Sequence, residues 1–385
     1  MMVDNPTTVM AVLFALAAIG FWSETTKLGS YLTGTVVVIL LAIIAANVGF
    51  IPHQSEAYDF VFSKIVPVII PLFLFKANIV QMMREASRLT LAFLLASFAT
   101  VLGVLIATEL VDVTSMLSGR LDANEARAGV AGLFTATYIG GSVNYAALGE
   151  ITTLVEEASF FSAATAVDNV YSALYLTVLA LLPAWHWLAR KFIPLAENPA
   201  IESGLKPLEA EAKPISAATI AYTLALSLSI VAVSDAIVAA TGVGMYRYAI
   251  ITLITVGLAT FLPSMTKHLS GSFELGIALS MVFFGSIAAG ANVSAVISIA
   301  PMLIVFAGIL LTVHAVVLLV MGRWLKLSLP ELIIASNAAI LGATTAPAMA
   351  AAKGWHTLVT PSVLVGVLGY ALGTLLGTAV YQWLL

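Results

Sequence analysis

The chain has 385 residues, of which 61% are hydrophobic and 9% are charged, and its mean hydropathy is +1.06. A soluble domain keeps about a quarter of its residues charged because its surface faces water, so this composition excludes an ordinary soluble protein. The absence of cysteine excludes disulfides, thiolate chemistry and Cys-ligated metals. The net charge of −4 provides no basic face, so we expect no nucleic-acid partner.

Apolar runs of about twenty residues recur along the chain, and each is long enough to cross a hydrocarbon core of ~30 Å. They are continuous, unlike the alternating segments of about ten residues that form β-barrels. The first run follows Asp4 and no Lys or Arg, so we interpret it as a retained helix. The sequence therefore predicts an all-α polytopic membrane protein with about 12 (11–13) transmembrane helices. The predicted spans are 7–22, 31–50, 59–79, 89–110, 128–149, 159–188, 215–240, 246–262, 274–291, 298–321, 331–352 and 359–382.

One long polar connector, residues 190–214, divides the chain almost evenly and is rich in Lys, Arg, Glu and Pro. Such a segment predicts a hinge between two halves. The first predicted repeat covers 1–189 and the second covers 215–385. Each contains one broken helix, at about 128–149 and about 331–352.

Two short motifs recur in the same order in both halves. Ile139–Asn144 resembles Leu341–Ala346, and Lys76–Ile79 resembles Gly290–Val293. In each half, the motif at Lys76–Ile79 or Gly290–Val293 comes first and ends a helix. It is followed by another helix, the interrupted segment and a last helix. This shared order favours an internal duplication.

The relative orientation of the halves stays open. Twelve spans place corresponding helices six apart, and an even separation gives both halves the same orientation. Either the count is wrong by one, with 215–240 as the weakest span, or the repeats are parallel. The positions of basic residues do not decide between these alternatives. The connector and the loop with Arg323 and Lys326 favour one side as cytoplasmic, whereas Arg84 and Arg88 favour the other. We prefer a cytoplasmic connector.

Gly-rich breaks interrupt two segments that would otherwise be continuous helices. Gly weakens a helix, and Pro347 removes one backbone donor. Unwound backbone at membrane depth needs protein or a water-filled cavity to satisfy it, and paired breaks indicate a site where carbonyls bind Na⁺ and half-helix N-termini bind anions. The alternative is that the breaks only kink the helices or tighten their packing. The substrate-binding candidates at the breaks are Gly140, Gly141, Gly342, Thr344, Thr345 and, just before the second break, Asn337.

A second signal is Asp168-Asn169, which lies inside an apolar run. A carboxylate at that depth costs at least ~2.5–3.5 kcal/mol unless it has a partner, and such residues usually mark ion or proton pathways. Asp168 would bind Na⁺ or take a proton, Asn169 adds an oxygen ligand, and Thr165 lies one turn earlier. The alternative is a structural carboxylate held by a neighbouring hydroxyl or amide.

Other polar residues have a structural and a functional interpretation. Lys76 either extends its ammonium to the interface or pairs with Asp168 or an anionic solute. Asn78 and Asn292 are substrate-site candidates by repeat symmetry, although Asn at a helix end usually caps. His314, deep in a helix, is expected to be hydrogen-bonded packing.

Enzyme motifs are absent. There is no zinc-protease His-Glu-x-x-His pattern and no Walker A loop. Gly140-Gly141-Ser142 lacks the closing Gly of a serine elbow, because Asn144 stands in its place. We therefore expect a non-enzymatic protein without an organic cofactor, with Na⁺ or H⁺ as the coupling ion.

Three runs resemble a family of uncharacterised bacterial membrane proteins typified by YjcL: Ile70–Asn78, Tyr138–Asn144 and Ala166–Asn169. That family resembles the superfamily of sodium/proton antiporters and bile-acid:sodium symporters. The resemblance implies inverted repeats, two broken helices that cross near the midplane, an elevator-type core, and a panel domain that forms a homodimer in the bacterial cytoplasmic (inner) membrane.

By position, the resemblance places Ser142 and Asn144 among the ion-coupling residues on the first crossing helix. It places Asp168-Asn169 where the antiporters carry an Asp-Asp or Asn-Asp pair. The order here is Asp then Asn, a departure that leaves the ion and the proton stoichiometry open.

The leading hypothesis is a secondary transporter that couples Na⁺ or H⁺ to symport of a small organic solute across the bilayer. The alternative is a Na⁺/H⁺ antiporter without an organic substrate. A passive channel or a membrane scaffold is the third hypothesis, although no file of polar residues follows one helix as a pore would require.

Overall fold

The computed structural model describes residues 5–26, 34–80, 83, 86–195 and 214–385. Their regular structure is helical, apart from one isolated bridge between Ile193 and Ser328. Eight helices in these residues are long and apolar enough to cross a membrane. A polytopic, all-α membrane protein is therefore confirmed. Most of the predicted connector, 196–213, lies outside the described residues.

The helices that carry the fold are numbered in chain order. They are α1 Pro6–Glu24, α2 Gly34–Asn47, α3 Glu56–Leu74, α4 Ser87–Leu110, α5 Ala123–Ile151, α6 Ala158–Leu181, α7 Ala217–Thr241, α8 Arg247–Phe261, α9 Ser272–Ala289, α10 Val293–Trp324, α11 Leu329–Ile340, α12 Thr345–Ala352 and α13 His356–Leu384. Each predicted span overlaps one of these helices, and 331–352 overlaps two. The number that crosses a bilayer stays a prediction.

Local sequence defines where several helices begin. Asp122 accepts hydrogen bonds from the backbone of α5 and forms a capping box with Glu125. Ser328 and Glu331 form the same box at the start of α11, and Asn292 caps α10. These caps satisfy backbone N–H groups that the first turn of a helix leaves free.

Helix α5 folds back on itself at Gly141, whose φ of 70° and ψ of −163° interrupt the helix. A Cβ placed on Gly377 of α13 would lie 2.8 Å from Gly132 O and 3.2 Å from Leu148 Cγ. In a straight helix those two residues of α5 would be separated by about 24 Å. Residues 123–151 therefore form a helical hairpin, here hairpin 1, with its tip at Gly141.

Helices α11 and α12 form a second helical hairpin, hairpin 2, at residues 329–352. Its tip is residues 341–344, where Gly342 has a φ of 94°. Thr345 Oγ1 donates to Asn337 Oδ1 at 2.6 Å and thereby joins the two arms across the tip. Helix α13 starts directly after α12 and passes the tip at Gly366, so α12 leads away from the tip.

The two hairpins open at opposite ends of the helix bundle. Glu157, after hairpin 1, accepts hydrogen bonds from Ser118, before it, so both flanks lie at one end, the Glu157 end. Glu331, at the start of hairpin 2, is paired with Arg88 at the other end, the Arg88 end.

These contacts correct the sequence prediction for 128–149 and 331–352. Both segments were expected to be broken helices that cross the membrane. Instead, each enters and leaves at the same end, because a single glycine with positive φ reverses the chain. Five helices of the first half, α1–α4 and α6, then run from end to end. Helix α7 consequently begins at the end opposite to the start of α1.

The helices divide into two groups with their main contacts inside each group. We call α1, α2, α3, α7, α8 and α9 the frame, and α4, α5, α6 and α10–α13 the core. Within the frame, α1 and α2 of the first half pack on α9 of the second half. In the same way, α7 and α8 of the second half pack on α3 of the first half. In the core, α13 lies between the two arms of hairpin 1.

Candidate functional site

The tips of the two hairpins meet on α13. A Cβ placed on Gly141 would lie 3.8 Å from the ring of Tyr370, and Ala343 of hairpin 2 packs directly on Gly366, one turn earlier. The Tyr370 hydroxyl interacts with the backbone of Ala343. Of the predicted substrate residues, Gly140, Gly141, Gly342 and Thr344 lie at this junction, as does the predicted ion-coupling residue Ser142; Ser142 and Thr344 are exposed.

Asn144, predicted as an ion ligand, joins hairpin 1 to α13. Its Oδ1 accepts from Thr374 N at 2.8 Å and from Thr374 Oγ1 at 2.5 Å, and its Nδ2 donates to Gly140 O at 2.6 Å. The side chain is 1% exposed. These contacts give Asn144 a structural role: it satisfies a carbonyl that the reversal at Gly141 leaves without its helical partner.

Asn337 has the corresponding place in hairpin 2. It is fully buried, accepts from Thr345 Oγ1 and directs its amide nitrogen at Met349 Sδ, 3.5 Å away on the second arm. The pair holds the two arms together.

Asp168 lies on α6 beside hairpin 1. Its Oδ1 is buried and makes no hydrogen bond within the described residues, and the same is true of the Tyr138 hydroxyl. The Tyr138 hydroxyl still faces the carboxylate as a neighbouring hydrogen-bond donor would, and Tyr145 also faces the carboxylate. An unpaired carboxylate oxygen at a buried position is costly, so this arrangement suits a bound cation or a proton.

The neighbours of Asp168 on α6 are fixed by the helix itself. Thr165 Oγ1 donates to Phe161 O at 2.9 Å, and Asn169 Nδ2 donates to Thr165 O at 2.8 Å. No group of three or more His, Asp or Glu residues in the described part of the chain can hold a metal. A cation at Asp168 would therefore take its remaining oxygens from hydroxyl and backbone groups, as Na⁺ can.

Three predicted site residues lie elsewhere. Asn292 caps α10 near the Glu157 end, where its backbone N–H donates to Ser159 Oγ at 2.9 Å. Lys76 and Asn78 follow α3, and the Lys76 side chain is exposed. Both line a small pocket with Leu364, Leu368 and Ala371 of α13, the helix on which the tips meet. The structure thus brings neither the lysine nor this pair of asparagines to Asp168.

A buried hydrogen-bonded chain links four core helices. His314 of α10 contacts Thr100 Oγ1 through Nδ1 and Ser336 Oγ through Nε2, both at 2.9 Å. Ser336 continues to the Tyr175 hydroxyl at 2.8 Å. Both ring nitrogens of His314 are satisfied, as expected for hydrogen-bonded packing.

A cavity of ≈ 720 Å³ opens at the Glu157 end between frame and core. Frame helices α3 and α9 form one wall, and the starts of α6 and α10 with the loop after α4 form the other. Its polar lining includes His53, Asp59, Arg120, Glu156, Ser159 and Ser286.

Sequence analysis missed Tyr138, Tyr370 and Thr374 of this site. Tyrosine and threonine inside apolar helices gave no individual signal. The signal that could have located this contact surface is the spacing of Gly366, Gly369, Gly373 and Gly377 on α13, because small residues at intervals of three or four permit close helix packing.

The architecture is thus that of a polytopic helical membrane protein with two opposed hairpins. The profile of the family described as "protein of unknown function (DUF819)" matches residues 11–385, and the chain belongs to this family. It is similar to the uncharacterised membrane protein YjcL of Bacillus subtilis (strain 168). The two are 33% identical over an alignment that covers 96% of this chain and 94% of the relative.

Proposed function

We propose that the chain is a secondary active transporter in which the core moves against the frame to carry a small organic solute with Na⁺ or H⁺. The observation that carries this proposal is the pair of hairpins that enter from opposite ends and meet on α13. Such an arrangement exposes backbone at the middle of the bundle and reaches both ends, as alternating access requires. The solute site is the junction of the tips, at Gly141, Ser142, Gly342 and Thr344.

Asp168 is the coupling residue in this proposal. Its buried Oδ1 and the facing Tyr138 hydroxyl, neither of which has a well-formed hydrogen bond within the described residues, support a site that a cation or a proton fills. Because Asp168 lies on α6 beside hairpin 1, occupation of this site would change the charge next to the tip. Thr165 and Asn169 position the surrounding turn of α6.

The division into frame and core supports an elevator-type movement. Each group contains three or more helices of both halves, and the cavity of ≈ 720 Å³ lies between the groups at one end. The opposite starting ends of α1 and α7 support inverted repeats and thereby the relation to the antiporter and symporter superfamily. The hairpins differ from the crossing broken helices that this relation implied. A homodimer would form through the frame, which corresponds to the panel.

The distribution of basic residues supports the bacterial cytoplasmic membrane with the Arg88 end inside. Basic side chains of cytoplasmic loops set the orientation of membrane proteins. In loops and near helix ends of the described chain, the Glu157 end has Arg120, Arg127 and Arg247. The Arg88 end has Lys76, Arg88, Arg190, Lys191, Lys267, Arg323, Lys326 and Lys353. With the hairpins folded back, the connector and Arg88 lie on the same side, and the cavity opens outward.

A second candidate is Na⁺/H⁺ exchange without a solute. The observation that favours it is again Asp168, because one buried carboxylate that takes a cation and a proton in turn suffices for exchange. The third interpretation, a channel or scaffold, has no specific structural support.

Flux in proteoliposomes under an imposed Na⁺ or pH gradient tests the proposal. We expect cation-dependent uptake of a solute from a metabolite panel, and loss of at least tenfold in coupled flux for Asp168→Asn. Asp112→Asn, on the loop after α4, is the matched control and should leave flux unchanged. Exchange without any solute would select the antiporter, and unchanged flux in Asp168→Asn would refute the coupling site.

A further inference from the structure

Tyr370 contacts every element that meets at the tips. A Cβ placed on Gly141 of hairpin 1 would lie 3.8 Å from its ring, and its hydroxyl faces the backbone of Ala343 in hairpin 2. Ala343 can approach because Gly366 has no side chain, and a Cβ there would overlap it. A single side chain of α13 thus lies next to both tips.

The same ring also touches the frame. The rings of Tyr370 and Phe73 lie 5.2 Å apart between centroids at 62°, an edge-to-face contact across the boundary between core and frame. Phe73 is held in α3 by Phe273 of α9, 5.1 Å away, and by Gly276, on which a Cβ would lie 2.7 Å from its ring. The position of Phe73 is therefore fixed by two frame helices.

The two arms of hairpin 2 are anchored unequally. The first arm is tied at its base by Arg88, which gives Glu331 two hydrogen bonds of 2.6 and 3.0 Å. The second arm, α12, is linked to the first by the Thr345–Asn337 hydrogen bond and to α13 by packing. Within the described residues, the tip and α12 thus lack the ionic anchor that the first arm has.

We propose that Tyr370 is the positioning residue that keeps the tip of hairpin 2 closed, and that its contact with Phe73 makes opening depend on where the core stands against the frame. In the present position, Phe73 holds the ring and the ring holds Ala343. When the core slides along α3, the ring loses Phe73 and the tip is released. This inference deepens the proposed function, on which it rests in treating hairpin 2 as the gate of the solute site.

Cysteine labelling tests the proposal, because the natural chain contains no cysteine. Ala346→Cys places a thiol on α12 where the side chain is fully buried, and Ala338→Cys places one on the anchored first arm, 1% exposed. A hydrophilic maleimide reaches the thiol at position 346 when the tip opens. Labelling rates are measured in detergent and in proteoliposomes.

We expect Tyr370→Phe to raise the labelling rate at position 346 about two- to tenfold, the range for the loss of one polar interaction of the hydroxyl. The rate at position 338 should not change. Tyr381→Phe, also on α13 but at the Glu157 end, is the matched control and should affect neither position. Phe73→Ala should raise the rate at 346 as well, and the double variant should exceed the larger single effect only slightly, since both act through one contact.

An unchanged rate at 346 in Tyr370→Phe would overturn the proposal, and so would an equal rise at 338, which would indicate general loosening. Independent effects of Phe73→Ala and Tyr370→Phe would refute the dependence on the frame. Labelling needs no transport, so a protein without flux that shows the expected rates would refute the proposed function and retain the gate. A protein that transports solute but shows unchanged labelling rates would retain the proposed function and refute the gate.

Discussion

At the residue scale, two polar side chains that the sequence does not distinguish differ in their contacts. Asn144 was predicted as an ion ligand, yet all its described hydrogen bonds go to protein groups around the reversal at Gly141. Asp168, in contrast, keeps an unpaired oxygen. The sequence shows that both residues are polar in an apolar run. It does not show which of them has partners, because those partners, such as Thr374, are distant in the chain.

Asn144→Ala should destabilise the protein by about 3 kcal/mol. The change leaves Gly140 O and both donors of Thr374 without a partner, and each buried unsatisfied group costs about 1–3 kcal/mol before relaxation. Thermal unfolding in detergent measures the loss. Asn124→Ala, at the exposed start of the same hairpin, is the matched control and should change stability by no more than ~0.5 kcal/mol. Equal stability of the two variants would contradict the structural role of Asn144.

Gly141→Ala should destabilise the protein by about 1–3 kcal/mol, since a φ of 70° with a ψ of −163° is a region that is essentially restricted to Gly. Space does not limit the change, because the nearest atom to an added Cβ is 3.8 Å away. Gly257→Ala in α8 has the same open surroundings, and positive φ is not found there. It should be neutral or slightly stabilising. The comparison of the two variants separates backbone strain from crowding. Thermal unfolding in detergent measures the stability of both.

At the element scale, the apolar helices were predictable and the reversals were not. Hydropathy located every apolar segment, and Gly with Pro located both breaks. A hydropathy profile is the same for a kinked helix that crosses and for a hairpin that returns, so 128–149 and 331–352 were assigned as crossings. The conflict between Arg88 and the connector over the cytoplasmic side was the available clue, and folding back 128–149, which lies between them in the chain, removes it.

The base of hairpin 2 gives an element-scale prediction. Arg88→Ala should destabilise the protein by about 1–2 kcal/mol, because Glu331 is buried and loses two charged hydrogen bonds, while the half-exposed Arg88 limits the effect through solvent screening. Arg127→Ala removes the ion pair with Glu109 at the base of hairpin 1, where both side chains are more than a third exposed. That control should cost no more than ~0.5 kcal/mol. A larger loss for Arg127→Ala than for Arg88→Ala would contradict this ranking.

At the scale of the whole molecule, the two hairpins determine the topology. If hairpin 1 returns to the end where it entered, its two flanks face the same compartment, whereas a crossing helix would separate them. In the proposed topology, the same reversal gives the halves opposite orientations and places Arg190 and Lys191, at the start of the connector, at the basic end. The number of crossings before α7, the orientation of the second half and the compartment that the cavity faces therefore all depend on whether hairpin 1 folds back.

Single cysteines in the cysteine-free chain decide that question. Ser115→Cys lies before hairpin 1, Glu156→Cys lies after it and Lys353→Cys follows hairpin 2 at the Arg88 end; all three native side chains are exposed. We expect an impermeant maleimide to label the thiols at positions 115 and 156 on intact cells and the thiol at position 353 only after permeabilisation, because the proposed orientation places the basic end in the cytoplasm. The unmodified chain controls for background. Labelling of positions 115 and 156 from opposite sides would show that α5 crosses the membrane, and labelling of position 353 alone on intact cells would invert the orientation while keeping the hairpins.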